Sequence, residues 1–295
     1  MIHLLACAKI NLSLEVLGKR DDGFHELRTV LQAVDLADEL AFEPADDLRL
    51  VVDPPGTVPI EGNLVLRAAA ELQMVVGTGA GAAITLRKRI PVAAGLGGGS
   101  SDAATTLLGL RSLWNVPVSD EDIYRIASKL GSDVPFFIRG GTALGSGRGD
   151  ALEMLPLPVE RYCVVVTPAQ VADAAKTARL YGMLRNDHFS DGSTVDEVVR
   201  RILAGERLAG AITNTFARVA TSAYDSYKSV LDIFGTAGAL ETFLAGAGPS
   251  VCTLVEDRPA ANRIAAAMTE AGIQAQVASL RGPWPEGGLP GFGES

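Results

Sequence analysis

The chain is poor in the residues that metal sites, disulfide frameworks and redox centres need. Its 295 residues include only three cysteines and three histidines. Cys7, Cys163 and Cys252 are odd in number, far apart and set in apolar runs. They read as free core thiols in a reducing compartment rather than as a disulfide framework. With no His/Cys group at metal-ligand spacing, a structural zinc site is not expected. No apolar run reaches the length of about 20 residues that crosses a bilayer. The first residues lack the basic region, apolar core and small-residue cleavage site of a secretory leader, so a soluble, cytoplasmic protein is expected. Positive charge is also scarce, with 26 Lys and Arg against 35 Asp and Glu and a net charge of −9. That balance argues against a nucleic-acid or anionic-membrane partner. An acidic chain that binds an anion must gather its few cations and its backbone donors at one place.

What is present is ordinary globular material, 47% hydrophobic and 21% charged, at a length that suggests two domains. One stretch stands out: Pro91-Val92-Ala93-Ala94-Gly95-Leu96-Gly97-Gly98-Gly99-Ser100-Ser101, followed by Asp102 and a helical pattern. Ala103, Leu107, Leu110 and Trp114 recur at three- and four-residue spacing, as on one face of a helix. Glycines let a backbone approach a ligand closely and reach positive φ. The unpaired N–H groups of a helix start then converge on one point, helped by the positive end of the helix dipole. Such a point binds anions, phosphate above all, and the loop reads as the cradle of a nucleoside triphosphate. No Gly-Lys-Ser/Thr follows the glycines, so it is not a P-loop of the usual kind. Ser100 stands where a dinucleotide fingerprint has its third glycine or alanine. The bland alternative is a plain connection in which Ser100, Ser101 or Asp102 caps the helix.

Upstream, Ile2, Leu4, Ala6, Ala8, Ile10, Leu12, Leu14 and Val16 alternate with residues that include Cys7, Lys9, Asn11, Ser13 and Glu15. This is the period of a half-buried strand, and it puts Lys9 and Asn11 on one face about 7 Å apart. Lys9 is either a solvated lysine or, between the small Cys7 and Ser13, part of a cleft wall. Arg20-Asp21-Asp22-Gly23 reads as a turn, followed by another strand from Thr29 to Val34. Phe24 and His25 are either a base-stacking pair or a core anchor beside a surface residue. Asn63 precedes an amphipathic helix, Leu64 to Val75, as its N-cap or as a nucleotide contact. Arg87, Lys88 and Arg89, on a strand from Thr85 to Ile90, either help to bind the phosphates or face water. A helix from Asp120 to Leu130 starts at Ser119 and ends at Gly131. Pro135 favours an extended Val134, which puts Asp133 in a tight helix-to-strand junction. The second half alternates strands and helices, from Cys163 to Thr167 through to Gln274 to Leu280, as in an α/β sandwich with an open sheet. Pro156-Leu157-Pro158 marks a domain boundary, and the glycine- and proline-rich end reads as a flexible tail.

Three stretches in order, Ala8 to Leu12, Pro91 to Ala103 and Gly246-Ala247-Gly248-Pro249-Ser250, resemble the three motifs of the GHMP small-molecule kinases. The resemblance implies an α+β chain of two domains with the active site between them. Residues 1–156 would resemble the ribosomal protein S5 domain 2 fold, residues 157–282 would be ferredoxin-like, and 283–295 a tail. It implies Lys9 and Asp133 as catalytic residues, Pro91 through Ser101 with Asn63 as ATP contacts, and Mg²⁺ alongside ATP. Within the family, Lys9-Ile10-Asn11, Asp22 to Glu26, Gly95 to Asp102 and Gly131 to Pro135 resemble the members that phosphorylate a cytidine-diphosphate-linked methylerythritol in non-mevalonate isoprenoid biosynthesis. On that likeness Phe24 and His25, with Tyr181 opposite and Thr177 nearby, hold the cytidine, and Asn11 contacts the methylerythritol part. Phe24 stands where those members more often have tyrosine, and Cys7 where they have proline. Homoserine, mevalonate or phosphomevalonate kinases, or a non-catalytic nucleotide-binding regulator on the same fold, are the alternatives. The implied partner is a small molecule, with neither nucleic acid nor membrane, for a monomer or a homodimer.

Overall fold

The computed structural model describes residues 1–168 and 176–285. Its first half is a six-stranded sheet made of β1 (Ile2–Lys19), β2 (His25–Ala45), β3 (Leu48–Asp53), β4 (Gly81–Arg87), β5 (Thr142–Gly147) and β6 (Ala151–Leu155). The path runs β3-β4-β2-β5-β6, with β1 paired to β2. β3 and β4 are parallel, and the other pairings are antiparallel. β2 is 21 residues long, far beyond the predicted Thr29 to Val34. Its acidic residues broke the apolar pattern, yet distant backbone donors satisfy them. Ser279 N donates to Asp35 at 2.7 Å, and Ile90 N donates to Asp38 at 2.8 Å.

Four helices cover one face: α1 (Leu64–Val76), α2 (Gly98–Leu113), α3 (Asp120–Leu130) and α4 (Val134–Arg139). Leu72, Leu107, Ile126 and Phe136 pack on Leu40, Phe42, Ile84 and Leu86 of the sheet. α1 and α3 begin where capping chemistry predicts, with Val65 N donating to Asn63 Oδ1 at 3.0 Å and Asp122 N to Ser119 Oγ at 3.1 Å. One alternative and one expectation fail. Ser100, Ser101 and Asp102 do not cap α2: it starts at Gly98 behind a left-handed Gly97 (φ +73°), so they lie within its first turns. And Asp133 joins two helices, not a helix and a strand. Pro135 falls in the first turn of α4, where a proline gives up no intrahelical hydrogen bond.

The second half holds β7 (Tyr162–Val166), β8 (Phe243–Leu244), β9 (Val251–Val255) and β10 (Ala275–Ser279), in the order β10-β7-β9-β8. With them come α5 (Lys176–Met183), α6 (Ser193–Ala204), α7 (Ala217–Ala223), α8 (Tyr227–Thr236) and α9 (Arg258–Glu270). Leu180, Phe216, Phe234, Ile264 and Met268 pack against Val164, Val166 and Val251. A further core joins the two sheets: Ala8, Ile10, Leu12 and Val30 from the first meet Cys163, Val165, Phe243 and Cys252 from the second. β1 is therefore covered on both faces instead of half-buried, and Lys9, Asn11, Ser13 and Glu15 are all buried. Each needs a polar partner inside the protein; Glu15, for example, accepts from Val195 N at 2.8 Å near the start of α6.

The three cysteines are buried and unbridged, and burial pushes the Cys7 thiol up to about 12, which keeps it unreactive. Pro283 and Trp284 belong to the segment expected to be a flexible tail, but Trp284 N donates to Arg139 O at 2.8 Å and docks it on α4. The rest of that expected tail, 286–295, lies outside the described residues. Among the described residues no helix is long and apolar enough to cross a membrane.

Candidate active site

The glycine loop between β4 and α2 is fixed by backbone contacts on two sides. Lys9 N donates to Leu96 O at 2.9 Å, and Ser250 N donates to Ala94 O at 3.2 Å. A Cβ on Gly95 would lie 2.1 Å from Ala245 O, and one on Gly97 2.8 Å from the Phe137 ring. Both glycines also have left-handed backbones, at φ +85° and +73°. Close approach and positive φ thus coincide here, and no other residue type fits. The turn at Gly246–Ser250 leans on this loop and is itself held by Asn214, whose Nδ2 donates to Leu244 O and Gly246 O at 2.8 Å each. Lys176 ties the two together, donating to Ala93 O at 2.5 Å and to Gly248 O.

On the basic strand entering the loop, Arg87 and Arg89 are exposed to water and only Lys88 is buried, so the strand does not offer three cations to a ligand. Arg87 pairs with Asp53 and Glu39 at 2.9 and 3.1 Å, and Arg89 pairs with Glu39. Lys88 is buried between Asp38 and Asp102, the latter at 2.7 Å. Burial works against its charge, but the two carboxylates outweigh that and keep it an ammonium. Asp38 also accepts from Arg89 N at 2.5 Å, so this ionic knot grips the chain two residues before Pro91. One lysine between two buried carboxylates leaves an excess of negative charge. Burial, with Lys88 opposing it, raises the Asp102 carboxyl well above its usual range, and its Oδ1 has no hydrogen-bond partner.

Lys9 and Asp133 meet on the floor of the cleft. Lys9 Nζ lies 3.5 Å from Asp133 Oδ2, with the lysine side chain 6% exposed and the aspartate 41% exposed. Lys9 Nζ also donates to Asn11 Oδ1 at 2.8 Å. Asn11 Nδ2 donates to Thr29 Oγ1 at 2.9 Å, and that hydroxyl donates to Ser13 O at 2.7 Å. A relay of fixed donors therefore aims a buried ammonium at an open carboxylate. At the far end of the cleft, His25 stacks on Tyr181 with ring centroids 4.4 Å apart and planes 20° from parallel. Phe24, 49% exposed, lies under the Arg148 guanidinium at 4.0 Å. Arg148 Nη2 in turn donates to Ser132 Oγ at 3.1 Å, beside Asp133. Partial burial, then the Lys19 charge, lower the His25 pKa, while burial, then the Asp133 charge, raise that of the Tyr181 phenol.

Lys9, Asn11, Phe24, His25, Asn63, Pro91 through Ser100, Asp133, Thr177 and Tyr181 line a single continuous cleft of ≈ 1350 Å³. That exceeds the size usual for one small ligand. Ser101, expected among the ATP contacts, is buried and does not line it.

The sequence matches the family description "GHMP kinases N terminal domain" over residues 63–141 and "GHMP kinases C terminal" over 199–274. A 4-diphosphocytidyl-2-C-methyl-D-erythritol kinase of Dehalococcoides mccartyi is 40% identical over 283 residues, covering 96% of this chain and 99% of the relative. The chain belongs to the 4-diphosphocytidyl-2-C-methyl-D-erythritol kinase family of GHMP kinases. A crystal structure of a 4-(cytidine 5'-diphospho)-2C-methyl-D-erythritol kinase superposes with a TM-score of 0.79 at 33% identity, over 95% of this chain and 99% of that one. A homoserine kinase from Cytophaga hutchinsonii superposes at 0.73 with 21% identity, over 96% and 95% of the two chains, a likeness of fold alone.

Sequence reasoning missed several cleft residues of this kinase-family member. Arg148 carried a weak signal, a lone arginine in a glycine-rich hairpin shortly after Asp133. Lys176 was legible only as the start of a helix, since its partners Ala93 and Gly248 are 83 and 72 residues away. Asp102 was legible only as a helix cap, and Asp38, buried behind the cleft, gave no signal, because nothing local marks an acid that a distant lysine will neutralise. In the structure His25 stacks on the Tyr181 face and Arg148 covers Phe24.

Proposed function

We propose that this chain transfers the γ-phosphoryl group of ATP to the 2-hydroxyl of 4-diphosphocytidyl-2-C-methyl-D-erythritol. The observation that carries the reading is the Lys9–Asp133 ion pair, set between a backbone-built anion cradle and an aromatic pocket in one cleft. In this reading Asp133 accepts the hydroxyl proton as that oxygen attacks the γ-phosphorus, and ADP leaves toward the glycine loop. Lys9 faces the phosphoryl oxygens, and the N–H groups at the start of α2 take the charge that develops on the phosphates. Asn11, fixed by Thr29, orients the methylerythritol part. Asn63 and Pro91 through Ser100 hold ATP. The cytosine ring enters between Phe24 and Tyr181, with His25 turning to its edge and Thr177 beside it.

Mg²⁺ fits this arrangement as a companion of ATP. The described residues contain no group of three or more His, Cys, Asp or Glu able to hold a metal by themselves. Asp133 and the unpartnered Asp102 Oδ1 are the carboxylate groups at the cleft. The ion would therefore rest mainly on phosphate oxygens, neutralising their charge.

The test is ADP release from Mg-ATP with the cytidylyl methylerythritol, methylerythritol phosphate, mevalonate and homoserine in parallel. Release with the first alone supports the whole reading; release with another acceptor discards the cytidine pocket, and silence with all four returns the chain to nucleotide binding without catalysis. Asp133→Ala should lower kcat by about 10²–10⁴, the typical contribution of a positioned base. Wild-type turnover in that variant would remove Asp133 from the chemistry.

A further inference from the structure

The segment 280–285 leaves the second sheet and returns to α4, and we infer that it is a clasp on the catalytic apparatus, with Trp284 as a positioning residue. α4 is six residues long, too short to be stable without outside support. Asp133 is its N-cap, and its last turn presents carbonyls that the helix cannot satisfy. Trp284 takes two of them: its backbone N–H donates to Arg139 O at 2.8 Å, and its indole Nε1 to Phe137 O at 3.0 Å. The indole packs against Gly140, where a Cβ would come within 2.3 Å of the ring.

Phe137, in the middle of the same helix, carries the effect into the site. Its ring supports Gly97, the left-handed residue from which α2 springs, and Lys9 Cγ stands 3.0 Å from the Cβ position of that same glycine. One short helix thus has Asp133 at its head, the buttress of the phosphate loop and Lys9 at its centre, and Trp284 at its foot. The root of the clasp is anchored independently. Arg281 N donates to Ala33 O at 2.8 Å, and Gln32 Nε2 to Arg281 O at 2.9 Å. Sliding or tilting of α4 would displace Asp133 at its head, while the phosphate loop keeps its own anchors at Lys9 N and Ser250 N, so the clasp acts on turnover more than on ligand affinity.

The inference rests on the proposed roles of Lys9 and Asp133, and its test includes Asp133→Asn to judge those roles separately. Trp284→Ala, which removes the ring and the indole donor, should lower kcat about tenfold or more, since a small misplacement of reacting groups costs up to about 10²-fold. KM for ATP and for the acceptor should stay within about twofold. Trp284→Phe keeps a ring over Gly140 but loses the donor to Phe137 O, and should fall between the two. Wild-type kcat in Trp284→Ala, or a raised KM with kcat intact, overturns the inference, even if the melting temperature drops. If Trp284→Ala does not fold, Trp284→Phe decides: a severalfold fall in kcat at unchanged KM supports the clasp, and wild-type kcat overturns it. Full activity in Asp133→Asn would instead strike at the catalytic roles.

Discussion

At one end of the cleft the groups proposed to meet a ligand belong to the backbone of Pro91 through Gly99; at the other they belong to the side chains of Phe24, His25, Arg148 and Tyr181. The phosphate end is locked by main-chain contacts to Lys9 and Ser250, by glycines with no room for a Cβ, and by the buried knot of Asp38, Lys88 and Asp102. The aromatic end has Phe24 half exposed and rings that pair with one another. The contrast follows from the ligand parts each end is suited to. A phosphate chain asks for fixed donors already in place, because reorganising dipoles during reaction would raise the barrier. A base needs flat surfaces that part and close on it.

If this contrast is right, substitutions at the two ends should fail in different ways. Gly95→Ala should be the most damaging. It puts a Cβ on Ala245 O in a left-handed backbone, so stability should fall by more than about 2 kcal/mol and ATP binding should go with it. Thermal unfolding together with a nucleotide titration checks this, and a well-folded Gly95→Ala with normal ATP affinity would refute the rigid-cradle account. Phe24→Ala should leave the melting temperature alone and raise KM for the cytidylyl acceptor, a stacked base being worth about 1–3 kcal/mol. An unchanged acceptor KM would mean that the base lies elsewhere.

A smaller effect should come from pH at the aromatic end. The His25 pKa lies below its ordinary 6.5, so the neutral ring persists as pH falls to that value and is lost only beneath it. Acceptor KM should therefore be flat above that point and rise below it, with KM for ATP unmoved. The smallest effect belongs to the ionic knot. Asp102 titrates higher in the folded chain than in the unfolded one, so its contribution is favourable at low pH and is lost as pH rises through the raised value. The melting temperature of Asp102→Asn should gain on that of the wild type progressively from about pH 4 to about pH 8 and keep a constant lead above that; a difference independent of pH would contradict the shared-charge description.

The same division explains what the sequence allowed to be read. The glycine loop, α1 and α3 were legible because each is written locally: a run of small residues, an Asn63 or Ser119 cap, a repeat of apolar positions. β2 was cut short because Asp35, Asp38 and Glu39 look like the end of a strand until their partners at Ser279, Ile90 and Arg89 are known. α4 was hidden by Pro135, which marks a break or a first turn equally well. Trp284 was lost in a composition that usually means disorder. At the aromatic end nothing in Phe24-His25 points to Tyr181, more than 150 residues on. Phe24 and His25 could be singled out locally as a stacking pair, but Tyr181 could be named only through resemblance to a family.

The core shared between the two sheets has a consequence for how such an enzyme can change. Ile10, Leu12 and Val30 have no outward face of their own, being packed against Cys163, Val165 and Cys252. A chimaera that joined the first half of this chain to the second half of a relative would inherit a mismatched seam through its middle. New acceptors are therefore reached more readily by altering the exposed rings of the cleft, one position at a time, than by exchanging halves.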